Sequence, residues 1–93
     1  MNGLRVVSLT QTCGRSPAQW EGRLDDDRPI FIRYRHGNLT VQLGEPGAGL
    51  DGALDAPPWF DRELVIDGDH AAAPIDRVAE ITGLMIDCTV ESL

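Results

Sequence analysis

Two runs of alternating side chains, Ile30-Phe31-Ile32-Arg33-Tyr34-Arg35 and Leu39-Thr40-Val41-Gln42-Leu43, flank His36-Gly37-Asn38. No other stretch constrains the fold as much. Successive side chains of a strand point to opposite faces, so each run offers one apolar face to a core. The glycine between them accepts positive φ, and the tripeptide reads as the tip of a hairpin. A two-residue Gly37-Asn38 loop pairs His36 with Leu39, Tyr34 with Val41 and Ile32 with Leu43. Arg35 then meets Thr40 and Arg33 meets Gln42 on the opposite face. Moving the loop to His36-Gly37 also keeps the faces matched, because the pairing shifts by two. A simple three-residue loop sets apolar residues opposite polar ones and requires a bulge.

Upstream, Asp25-Asp26-Asp27-Arg28-Pro29 is turn chemistry, and Trp20-Glu21-Gly22-Arg23-Leu24 predicts another strand. Pairing Leu24 with Ile30 places Glu21 opposite Arg33, which gives that arginine an acidic neighbour. Arg23, Arg35 and Phe31, on the exposed side, have no partner in this register. Leu4–Leu9 and residues 62–67 predict further strands, the first ending in a turn over Thr12–Pro17. Leu84, Ile86, Cys88 and Val90 alternate with polar neighbours and predict a last, half-buried strand. Residues 44–58 read as a long glycine- and proline-rich loop whose end is pinned to the core by Trp59-Phe60. Pro74, the stripe Ile75, Val78, Ala79 and Thr82, and Gly83 specify a short helix.

The expected architecture is α+β: a single domain over residues 1–93, with a four- to five-stranded, mostly antiparallel sheet and one short helix packed on one face. Strand 62–67, helix 74–82 and strand 84–90 fit a crossover with parallel strands.

All eight basic residues are arginine, which excludes a Schiff-base lysine and the lysine of a P-loop. Fifteen acids give a formal charge of −7, unevenly distributed along the chain. Residues 1–43 balance at +2 and residues 44–93 at −9. The early residues have too short an apolar run for a signal peptide, and no stretch approaches a membrane span; a cytoplasmic location is expected. Cys13 and Cys88 lie far apart without a Cys-x-x-Cys pair, so a structural disulfide is not expected. Cys88, on the inward set of its strand, is expected to be a small buried hydrophobe.

Asp67, Asp69 and His70 are the best metal-ligating candidates, but three or four convergent ligands are needed, and the segment reads as a solvated turn. No metal or other cofactor is expected. None of Ser8, Ser16 and Ser92 lies in Gly-x-Ser-x-Gly, and Gly44–Gly49 lacks the Gly-Lys-Ser/Thr of a phosphate loop. No catalytic residue is assigned, and the chain is read as non-enzymatic.

Binding is the remaining class. Asp67, Asp69, Asp76, Glu80, Asp87 and Glu91 are expected to form an acidic surface complementary to a basic site on a partner protein. Phe31, Arg33 and Arg35 are the alternative face, suited to a toxin-neutralising or structural interaction module. Direct nucleic-acid and membrane binding are not expected; a homodimer along a sheet edge remains open.

Trp20-Glu-Gly-Arg-Leu-Asp-Asp followed by Ile-Phe-Ile-Arg-Tyr-Arg resembles segments of small uncharacterised proteins from phages and mobile elements of GC-rich bacteria, over about residues 20–44. In size, acidity and absence of motifs the chain is similar in type to phage-borne inhibitors of host defence, including anti-CRISPR proteins. That likeness implies an acidic inhibitor that occupies a nucleic-acid-binding surface of a host protein, and it supplies no catalytic residue.

Overall fold

The computed structural model describes residues 4–15 and 17–92. Their elements are β1 (Arg5–Gly14), β2 (Ala18–Leu24), β3 (Pro29–Arg35), β4 (Asn38–Leu43), α1 (Leu50–Leu54), β5 (Pro58–Glu63), α2 (Ile75–Thr82), β6 (Met85–Ile86) and β7 (Val90–Ser92). One mixed sheet runs β5-β4-β3-β2-β1-β6, with β7 also paired to β1. The α+β class agrees with the sequence; the sheet is larger than expected and not purely antiparallel. The first five strands pair antiparallel, whereas β6 and β7 both run parallel to β1.

The β3–β4 hairpin closes through His36-Gly37, both at positive φ, in the type I′ manner whose twist suits a two-residue hairpin. Tyr34 therefore faces Leu39 and Ile32 faces Val41. This is the second of the two registers that keep the faces matched. Between β2 and β3 the register differs by two residues from expectation, because Asp27 adopts φ +69 and tightens the turn to three residues, with the Leu24 amide donating to the Arg28 carbonyl. Trp20 now opposes Ile32, Gln19 opposes Arg33, and Glu21 opposes Phe31. Arg33 thus faces Gln19 in place of the expected Glu21.

The inward face of β1–β4 carries Trp20, Leu24, Ile32, Tyr34, Leu39 and Val41, all essentially sealed from solvent. α2 adds Val78 to this cluster, with Ile75 and Ile81 packed at its margin. The helix ends where Gly83 takes the left-handed conformation and donates to the Ala79 carbonyl, as the sequence indicates. β5 and β6 point the same way but occupy opposite sides of the sheet, so the connection through α2 passes beside the core and does not join neighbouring strands. The alternating segment 84–90 divides into β6 and β7 around Asp87–Thr89.

Residues 64–67 are not part of a strand. β5 is displaced towards the N-terminus, and Trp59 sits at a register break, 45% exposed, while Phe60 packs beside the core. Tyr34 holds the following segment in place. Its hydroxyl donates to the Asp69 carbonyl at 2.5 Å and accepts from the Ile66 amide at 3.0 Å. This buried polar group is satisfied only because the chain returns over it.

Candidate functional site

Of the six acids expected to form one surface, four are held by arginines. Asp87 pairs with Arg5 at 2.6 Å and Asp69 with Arg15 at 2.8 Å, while Asp67 and Glu80 share Arg77. Asp76 and Glu91 are exposed on α2 and β7. Folding lays arginines of the first half against acids of the second, as in the Arg5–Asp87 contact across 82 positions.

Asp69 is the most strongly held of these carboxylates. Amide donation from Ala71, the Arg15 guanidinium and the Ala72 amide lower its pKa from 3.8 to about 2. Asp67 and Gly68, both at positive φ, form the turn before it. With Asp67 on Arg77 and Asp69 on Arg15, the two carboxylates are directed to different cations. Among the described residues no three His, Cys, Asp or Glu side chains converge as a metal site. Cys13 and Cys88 are free thiols, and burial, with the nearby Asp87 charge, raises the Cys88 pKa.

The outer face of the sheet is organised differently. Phe31 belongs to it, yet is only 7% exposed. The segment after β4 folds back, and α1 lies against β3 and β4. Ala53 of α1 is fully buried outside the main core cluster. The Gln42 amide donates to the Leu54 and Ala56 carbonyls, and Arg23 donates to the Ala48 carbonyl at 2.5 Å. Glycine is required at position 44, where a Cβ would lie 2.9 Å from the Ala53 nitrogen. The expectation that Phe31 is an exposed docking residue is therefore corrected: it anchors a second, small apolar layer. Sequence reading missed α1 because a five-residue helix rich in glycine carries no helical periodicity of its own.

Beyond α1 the outer face is open. Arg33 is flanked by Gln19 and Thr40, and Arg35 by Asn38. Asp61 and Glu63 follow on β5. Arg33, Arg35, His36, Asn38, Thr40 and Glu63 line a shallow hollow of about 430 Å³. Among the described residues neither arginine has a carboxylate within ion-pairing distance. Arg33 Nε is also the one buried side-chain nitrogen or oxygen there without a hydrogen-bond partner. Asn38 donates to Asp61 and Thr40 to the Arg33 carbonyl, so the polar floor is ordered. Gly37, at the tip beside the hollow, donates to the His70 carbonyl, which places both histidines at one corner of the molecule.

The outer face of this α+β scaffold thus carries an ordered polar hollow lined by two arginines that have no carboxylate partner among the described residues. No protein-family model, curated protein or solved structure matches the chain. No helix among the described residues is long and apolar enough to cross a membrane.

Proposed function

We propose that this chain is a non-enzymatic binding protein that docks on a protein partner through the outer face of its sheet, around Arg33 and Arg35. The observation that carries this reading is the contrast among the arginines. Arg5, Arg15, Arg23, Arg28 and Arg77 each hold a carboxylate, and Arg62 lies over the Phe60 ring. Among the described residues only the two arginines on the open face have neither. In a chain with fifteen acids, two adjacent cations without an acid are a feature to be explained, and a partner that supplies the counter-charge explains them.

A second reading is an acidic inhibitor of host defence, of the phage-borne type, which acts in the cytoplasm by covering a basic nucleic-acid-binding surface. The net charge of −7 favours it, as do Asp51, Asp55, Asp61 and Glu63, which have no arginine partner among the described residues. On that reading the acidic surface draws on α1 and β5 as well as on Asp76 and Glu91, which are likewise without an arginine partner among the described residues.

Capture from host lysate with matched variants separates the two. Thr40→Trp adds bulk to the open face, while Asp51→Arg with Asp55→Arg reverses charge on the α1 side. The docking reading expects the partner retained by the wild type to be lost with Thr40→Trp and kept with the charge reversals. The opposite pattern replaces it with the acidic-inhibitor reading.

A further inference from the structure

We infer that the hollow between Arg33 and Arg35 is a carboxylate-binding site, and that its occupant is an acidic, extended segment of a partner protein. This rests on the reading of the outer face as a docking surface and names the chemistry it takes.

The argument begins with the two guanidinium groups. They stand two residues apart on one face of β3, where like charges repel unless an anion lies between them. Arg33 Nε is buried without an acceptor, which leaves a strong donor unsatisfied. A guanidinium presents its N–H groups as a planar fork, and a carboxylate offers two coplanar oxygens that match it. A carboxylate in the hollow therefore supplies the counter-charge that both guanidinium groups lack. Thr40 and Asn38 border the same space and limit where the anion can sit.

The neighbouring charges select among anions. Glu63 lines the hollow and Asp61 stands beside it on β5, so the site is positive only locally. A polyanion would meet these acids and the overall charge of −7, and nucleic-acid affinity depends on accumulated positive charge that this chain lacks. A single acidic side chain on an extended peptide reaches the two arginines without that penalty.

The test uses the full-length protein and solution NMR of the arginine Nε–H signals. The probe is a fluorescein-free glycine–serine peptide bearing three carboxylates, compared with its counterpart in which each acid is replaced by its amide. The acidic peptide should shift the Arg33 and Arg35 Nε–H signals saturably, the amide peptide should not, and Arg33→Gln with Arg35→Gln should weaken binding at least tenfold. Arg33→Lys with Arg35→Lys keeps the charge and the fold but removes the fork, and should weaken it severalfold. Equal shifts from the amide peptide, no shift from the acidic one, or unchanged binding in either double variant would overturn the inference. Inorganic phosphate and a single-stranded oligonucleotide form the competing arms; saturation by either at lower concentration than the acidic peptide would also overturn it. If the natural partner is lost with Thr40→Trp yet kept with Arg33→Gln and Arg35→Gln, the docking face survives and the carboxylate site does not.

Discussion

The two faces of this sheet solve the same problem in different ways. The inward face is closed by apolar side chains from every central strand and by Val78 of α2, forming one continuous cluster. The outward face is closed only in part, by a single-turn helix that covers Phe31, and is otherwise polar. The inner face thus supplies stability through buried area, while the outer face leaves Arg33 and Arg35 without an ion-pair partner among the described residues. A face that need not be sealed for stability is free to bind, which is why the candidate site lies there.

Substitutions on the two faces should differ in size and in reach. Trp20→Ala removes a side chain that is 1% exposed and should cost about 3–5 kcal/mol, measured by urea denaturation. Phe31→Ala should cost less, about 2–3 kcal/mol, because α1 is short and can relax onto the smaller residue. Its hydrogen-exchange effect should be confined to α1 and the adjoining loop; loss of protection throughout β1–β4 would show that the two layers are not separate.

Tyr34→Phe keeps the packing on the inner face but leaves the buried Ile66 amide without its acceptor. A loss of about 1–3 kcal/mol is expected. A change smaller than about half a kcal/mol would mean that the return of residues 64–70 over the core is held by packing alone.

Asp69 gives the comparison a pH axis. Its folded pKa of about 2 lies below the ordinary 3.8, so the stabilisation it provides is present above about pH 4 and is lost as pH falls through about 2. Amide signals of Ala71 and Ala72 should move over that window, while those of the inner strands remain fixed. Asp69→Asn should abolish the movement.

The smallest effects belong to the exposed pairs. Arg5→Ala, which breaks the contact with Asp87, should change stability by about 0–1 kcal/mol and by less at high salt. On the open face, Arg33→Gln with Arg35→Gln should be neutral or slightly stabilising, since no internal carboxylate is lost. A large destabilisation there would make these arginines structural and remove the contrast between the faces.

Much of the inner face was legible because alternation is local: Tyr34 and Ile32 point inward under either two-residue loop, whichever is chosen. Register was less legible. The β2–β3 offset depends on Asp27 adopting positive φ, which its side chain permits but does not demand. The candidate site was half visible, since Arg33 and Arg35 share a face by spacing alone, but the loss of Phe31 from that site required α1.

The amino-acid sequence by itself determined which side chains face the core in β2–β4, the presence and end of α2, and the exclusion of lysine-dependent chemistry. Periodicity, capping and composition act within a few residues and can be read without a partner element. Only the tertiary structure decided that Arg5 and Arg15 meet Asp87 and Asp69, that β6 and β7 join β1, and that residues 44–58 cover Phe31. Those outcomes depend on contacts between segments tens of residues apart, where Coulomb attraction and burial act through space and leave no periodic trace along the chain.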